Sequence, residues 1–319
     1  MGKRIFLFIV TNIAVVLTLT IVLSVLGVGR YVGPNGLNIG SLAVFCLVWG
    51  MGGAFISLQM SRWIAKQSTG MTIVDGRTGN AAADHVYQMI AGLTQKAGLP
   101  MPEVGIYDSA EVNAFATGPS RNRALVAVST GLLRSMRDEE VEGVLGHEVT
   151  HIANGDMVTM TLLQGVINAF VMFFARIIAF AIANRGDSRE RGYSGGSYFI
   201  VIILQIVLGI LGSLITAWFS RQREFRADRG GAQLAGRDSM INALRRLAAN
   251  RDMVDTRQEA LATLKINGSR HWMVFFATHP PLEQRIAALE RIAERPITKS
   301  IRSSTSPRLT LSGSGCFAS

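Results

Sequence analysis

The sequence predicts an α+β membrane protein, mostly helical, with a soluble part built from a small β-sheet and a metal-binding helix. Three observations predict it. The 319 residues are 49% hydrophobic and only 17% charged, and the mean hydropathy is +0.30. That balance suits a membrane protein carrying a soluble part. Four apolar runs come near or exceed the roughly 20 residues that a bilayer-crossing helix needs. Between the second and third runs lie short β-rich segments and an amphipathic helix containing Gly146-His147-Glu148-Val149-Thr150-His151.

The first apolar run covers residues 5–28 behind a basic start, Lys3-Arg4. It is longer than a signal peptide and no small-residue cleavage site follows, so a retained anchor is expected. A turn with Gly33-Pro34-Asn35-Gly36 leads to the second run, 37–60. Residues 71–74, 104–107 and 124–128 read as strands, and 81–97 as a helix closed by Gly98 and Pro100. The third run, 157–183, carries Arg176, which is costly against lipid unless it snorkels; a re-entrant pair with the fourth run, 198–219, is the alternative. Residues 220–234 read as a further helix. Residues 239–250 form an amphipathic one through Ile241, Leu244 and Leu247. His279-Pro280-Pro281 opens the last, with Leu282, Ile286, Leu289 and Ile292 at helical spacing. The expected organisation is two spans (1–60), the first soluble part (61–156), a membrane hairpin (157–219), the second soluble part (220–295) and a disordered basic tail (296–319).

The net charge of +10 has no nucleic-acid-binding module beside it. Many Lys and Arg instead flank the apolar runs. Lys3, Arg4, Arg62, Lys66, Arg221, Arg223 and Arg226 outweigh Arg30, although Arg185, Arg189 and Arg191 weaken the contrast. The balance places both termini and the HExxH stretch in the cytoplasm. Cys46 and Cys316 form no disulfide framework, so a reducing compartment is expected.

His147 and His151, at i and i+4, share one helix face and can hold one metal ion. Two imidazoles at that spacing suit zinc, and Glu148 is placed to take a proton from water that the metal acidifies. Asp138 reads as the N-cap, Glu139 and Glu140 occupy the first turn, and Val141, Val144, Leu145, Val149 and Ile152 form the apolar stripe. Asn154-Gly155 reads as the stop. Catalytic zinc takes a third protein ligand. His85, His271 and His279 are alternatives, but Glu224 is the strongest, because Glu224 and Asp228 share a helix face in Arg223-Glu224-Phe225-Arg226-Ala227-Asp228. Asp228 could then accept the free ring N–H of a ligating histidine. A Glu/Arg surface network would produce the same pattern.

HExxH followed by ExxxD is the gluzincin pattern. The sequence resembles the membrane-bound zinc peptidases of that group, a family shared by the CAAX prenyl endopeptidases and the HtpX heat-shock proteases. The HtpX type is nearer, since two spans precede the motif and two follow it. The resemblance rests on residues 147–156, on Glu224 to Asp228, on Asn113-Ala114-Phe115-Ala116 and on His279-Pro280-Pro281. It covers residues 1–295 and leaves out the tail. It implies a zincin-like catalytic domain facing the cytoplasm of a bacterial inner membrane, with one Zn²⁺ held by His147, His151 and Glu224. Glu148 would be the general base. Asn113, Ala114, Phe115 and Ala116 would form an edge strand for an extended substrate, and His279 and Arg285 would hold the oxyanion.

The implied reaction is zinc-dependent endopeptidase cleavage of misfolded or damaged membrane proteins, in quality control and stress response. CAAX-type prenyl-peptide cleavage is the family alternative. A zinc-binding membrane scaffold or transporter, with Arg176, Gly165, Gly209 and Gly212 in helix packing, is the alternative of another class. Structural zinc usually has four closed ligands, often cysteines, and both cysteines lie far from the motif. Cleavage inside the bilayer is disfavoured by Arg137-Asp138-Glu139-Glu140 and Glu142, which would be costly at the midplane.

Overall fold

A computed structural model describes residues 2–25, 32–33, 36–183, 195–262 and 279–294. The chain order is α1 (Gly2–Val25), β1 (Val32–Gly33), β2 (Gly36–Leu37), α2 (Ile39–Thr69), β3 (Thr72–Val74), α3 (Ala81–Lys96), β4 (Glu103–Tyr107), β5 (Ala114–Thr117) and β6 (Leu125–Ser129). It continues with α4 (Thr130–Ser135), α5 (Asp138–Asn154), α6 (Asp156–Ala183), α7 (Gly195–Ala235), α8 (Arg237–Ala262) and α9 (Leu282–Glu294). The basic tail, His271 and the arginines at 185, 189 and 191 lie outside the described residues.

Among the described residues, three helices are long and apolar enough to cross a membrane: α2, α6 and α7. The first expected span is helical as α1. Small residues let the spans approach. A Cβ on Gly50 of α2 would sit 2.5 Å from the Ala169 backbone of α6, and one on Gly165 would sit 3.1 Å from Met51. Membrane helices pack by such close contact because lipid supplies no hydrophobic drive between them.

Two helices outrun the apolar segments that announce them. Asn38 caps α2, its side chain accepting the Ser41 N–H at 3.0 Å. The helix then continues past the apolar run to Gly70, whose φ of 64° ends it. Arg62 and Lys66 on this extension both pair with Glu103 at the start of β4. Burial would push the Glu103 carboxyl up, but these two cations hold it below the usual carboxylate range. The fourth apolar run and the helix carrying Glu224 are likewise one helix, α7, of 41 residues. No proline interrupts it, and at 1.5 Å per residue it is roughly 60 Å long.

The soluble part is a four-stranded mixed sheet in the order β3-β4-β6-β5. β4 and β6 run parallel, and β3 and β5 pair antiparallel on the outside. Val86, Ile90 and Leu93 of α3 pack with Val104, Val126 and Val128 of the sheet and with Val141, Leu145, Val149 and Ile152 of α5. Each of these aliphatic side chains is 3% exposed or less, and burying one is worth about 1.5–3 kcal/mol. The expected stripe of α5 is therefore the face that fixes the helix on the sheet. Met240, Ile241 and Leu244 of α8 form a second cluster with Leu289 of α9, with Leu282 and Ile286 packed against it.

Candidate metal centre

The helix α5 begins one residue differently from the sequence expectation. Asp138 is its first helical residue, and Arg137 is the N-cap. The Glu140 carboxylate reaches back to accept the Arg137 N–H at 2.9 Å, so the end is capped from inside the helix. Gly155, at φ 68°, closes α5 and passes the chain directly into α6.

Glycines bring α7 and α8 against α5. A Cβ on Gly231 would lie 3.0 Å from the His147 amide nitrogen, one on Gly143 2.6 Å from the Ser239 carbonyl, and one on Gly146 3.0 Å from Ala235. At that spacing Glu224 meets both histidines. The His147 and His151 Nε2 atoms are 3.1 Å apart. Glu224 places Oε2 3.4 Å from His147 Nε2 and Oε1 3.6 Å from His151 Nε2. One ligand atom from each of the three residues lies within 4.8 Å of the others. His147 is 7% exposed and Glu224 1%.

The far side of each imidazole faces an acid. His147 Nδ1 is 3.0 Å from Asp228 Oδ1, and His151 Nδ1 is 2.7 Å from Asp156 Oδ2. A carboxylate at Nδ1 holds the proton there, so both Nε2 lone pairs turn inward towards each other and towards Glu224. Three electron-pair donors aimed at one point repel unless a cation sits among them. The Nε2–Nε2 spacing of 3.1 Å and the Glu224 Oε2–His147 Nε2 spacing of 3.4 Å bracket the roughly 3.3 Å edge of a tetrahedron with Zn–N bonds of about 2.0–2.1 Å, and the other Glu224 oxygen lies 3.6 Å from His151 Nε2. The donor set therefore fits a zinc-sized ion.

Without a metal, a proton serves the same purpose. Burial alone would push His147 down, but the hydrogen bonds to Asp228 and Glu224 hold it up to about 9. Burial would likewise push Glu224 up, and the histidines His147 and His279 hold it far below the usual carboxylate range. His279 Nδ1 lies 3.0 Å from Glu224 Oε2. Burial would push Asp228 up, but it is held low by Arg285, whose Nε and a terminal nitrogen donate to its two oxygens at 2.8 and 2.5 Å, and by His147. Arg285 is 6% exposed, and another of its nitrogens lies 3.8 Å from Glu224 Oε2.

Glu148 points to the sheet. Its Oε2 accepts the Ala116 N–H at 2.8 Å. β5 is an edge strand, and the ladder shows which way its backbone faces. The Ser129 N–H donates to the Asn113 carbonyl, and Ala114 stands opposite Val128 and Ala116 opposite Val126. Antiparallel positions alternate between bonded and unbonded. Phe115 and Thr117 thus bond to β6, and Ala114 and Ala116 turn their N–H and C=O groups outward. One outward amide is the one that holds Glu148.

The structure brings together His147, Glu148, His151, Glu224, Asp228, Arg285, His279 and the 113–116 segment. His85 is elsewhere, 3.2 Å from Asp138 at an exposed site. Two partners were not singled out from the sequence: Asp156, behind His151, and Arg223, whose terminal nitrogen is 3.0 Å from Glu224 Oε1. The signal for Asp156 was its place just past the glycine that ends the motif helix.

Residues 80–293 match the model of Peptidase family M48. The chain is 54% identical over 298 residues to a "Protease HtpX homolog" of Bacillus licheniformis, covering 91% of this chain and 99% of that protein. It is 49% identical over 296 residues to "Protease HtpX" of Acinetobacter baylyi, covering 91% and 98%. Its fold is similar to the crystal structure of S. mikatae Ste24p, with a TM-score of 0.57 at 18% identity, over 91% of this chain and 66% of that one.

Proposed function

The chain belongs to Peptidase family M48 and is a membrane metalloprotease, and we propose that it is a zinc-dependent endopeptidase acting on misfolded or damaged membrane proteins. The observation that carries the reading is the convergence of two inward-facing imidazole nitrogens and a buried carboxylate beside Glu148. His147, His151 and Glu224 would hold the ion. When bound, zinc polarises the scissile carbonyl and acidifies water. Glu148 takes the proton of the attacking water on its carboxylate and delivers it to the leaving amide nitrogen. The Ala116 N–H keeps that carboxylate oriented.

An extended substrate pairs with the outward groups of Ala114 and with the Ala116 carbonyl, which reads backbone rather than sequence. His279 is 63% exposed and borders Glu224, a placement suited to holding the oxyanion. Arg285 is committed to Asp228, and we read it as holding His147 in place through that acid. Asp156 does the same for His151. The basic flanks of the spans support a cytoplasmic site in a bacterial inner membrane.

Replacing Glu148 by Gln tests the reading. The variant should keep stoichiometric zinc and lose roughly 10²–10⁴-fold in cleavage, measured with purified enzyme on an unfolded protein. Cleavage at the wild-type rate would refute the assignment.

A further inference from the structure

A groove with both polar and apolar walls runs between α6 and α7 within their apolar stretches. It measures about 330 Å³, and Gln164, Asn168, Gln205, Ser213 and Thr216 line it beside the apolar Ile167, Val171 and Ala217. Polar side chains are expensive at membrane depth, yet Gln164, Asn168 and Ser213 are exposed here. Gln164 donates to the Asn168 side-chain oxygen at 2.9 Å, which uses one donor and one acceptor of two carboxamides that together offer several more. Two glycines shape the groove. A Cβ on Gly212 would meet Ile167 at 2.6 Å, whereas one on Gly209 would meet nothing within 4 Å. The first sets the close approach of the helices, and the second leaves the space open.

The groove lies along the two helices that complete the metal centre. At 1.5 Å per residue, Ser213 is roughly 16 Å along α7 from Glu224, and Gln164 is roughly 12 Å along α6 from Asp156. Gln205, roughly 28 Å from Glu224 on the same scale, reaches past the middle of a 30 Å hydrocarbon layer. At that depth lipid chains offer no hydrogen-bonding group. The lining carries no cation for a phosphate headgroup. What remains is polypeptide: a membrane-spanning segment with a polar side chain, or with backbone freed by a break in its helix.

We propose that this groove receives the transmembrane helix of a client through its polar residues, selecting membrane proteins whose buried polar groups have lost their partners and holding them beneath the metal centre. The selection rests on the proteolytic reading above. A lone carboxamide in hydrocarbon finds donors and acceptors in the groove, while a wholly apolar helix gains only packing there. Each such hydrogen bond favours the polar client by roughly three- to tenfold.

The test uses the full-length zinc enzyme in lipid vesicles with three substrates: a client with an all-leucine span, the same client with one Asn at mid-span, and soluble unfolded casein. Gly209→Leu fills the open space, and Gln205→Leu removes a carboxamide. The wild type should cleave the Asn client at least roughly threefold faster than the leucine one. Both variants should lose that preference and cleave casein as before. Equal rates on the two clients, or a preference surviving in both variants, overturns the groove as a client site. So does photocrosslinking from position 213 that yields only a second copy of the enzyme or lipid. Casein left uncut by the wild type overturns the proteolytic reading as well, which separates the two failures.

Discussion

The two imidazoles of the metal centre look alike in sequence and are held differently. Behind His147 stands Asp228, gripped at both oxygens by the buried Arg285 of α9. Behind His151 stands Asp156, the first residue of the membrane helix α6. The first support is a chain of charges that crosses α5, α7 and α9. The second is one short hydrogen bond at the place where the metal helix turns into the bilayer. The contrast separates a support knit by paired charges from α7 and α9 from one made by a single bond at the start of α6.

The largest effect should come from Asp228→Ala. It breaks the buried pair and leaves Arg285 only its 3.8 Å approach to Glu224; breaking such a pair typically costs about 3–5 kcal/mol. The variant should melt well below the wild type in detergent even when zinc is saturating. A melting point equal to the wild type would show that the charge chain is dispensable.

Asp156→Ala should separate from it. No Arg or Lys side chain is paired with Asp156 among the described residues, so folding should hold while zinc affinity falls about 10- to 100-fold. Competition with a chelator measures the affinity, and Asp156→Glu should recover part of it. Equal losses of stability in the Asp156 and Asp228 variants would erase the distinction.

A smaller effect follows from protons. His147 is raised from 6.5 to about 9 in the metal-free protein. A raised histidine contributes stability that is complete below 6.5 and is lost as pH climbs through 9. The chelated enzyme should therefore lose melting temperature across that window. The zinc-loaded enzyme, with His147 neutral, should not lose it for this reason, and zinc affinity should rise with pH as the competing proton leaves. A metal-free protein with a pH-independent melting point from 6.5 to 9 would contradict the proton's place in the site.

Much of the centre was legible in the sequence because helical periodicity is local. The HExxH spacing and the Glu224–Asp228 interval each specify one helix face, and the apolar stripe of α5 is buried where the pattern puts it. The β-rich runs at 104–107 and 124–128 form strands because strand composition is also local, while their parallel pairing is not. Less legible was where helices stop. Hydropathy marks where α2 and α7 leave the membrane, but the helices end only where a glycine takes positive φ, at Gly70 and Gly236, and α7 runs on through Gly230-Gly231. Asp138 has a good N-cap side chain, and the Glu140 bond to Arg137 moved the boundary. The Asp156 contact crosses a glycine turn, and the Glu148 bond to Ala116 depends on how β5 lies against α5. Neither has a sequence period.

The unbroken α7 also sets an order of events during synthesis. The ribosome delivers His147 and His151 first, the membrane-crossing residues next and Glu224 last, on the same rod that must enter the bilayer. Until Glu224 is made, the two imidazoles lack their third candidate ligand. If Glu224 reaches the two imidazoles only when α7 is seated in the bilayer, the centre should assemble only on insertion. Translation without membranes should yield full-length protein with little bound zinc, and translation with vesicles should yield stoichiometric zinc; equal zinc in both would show that assembly does not wait for insertion.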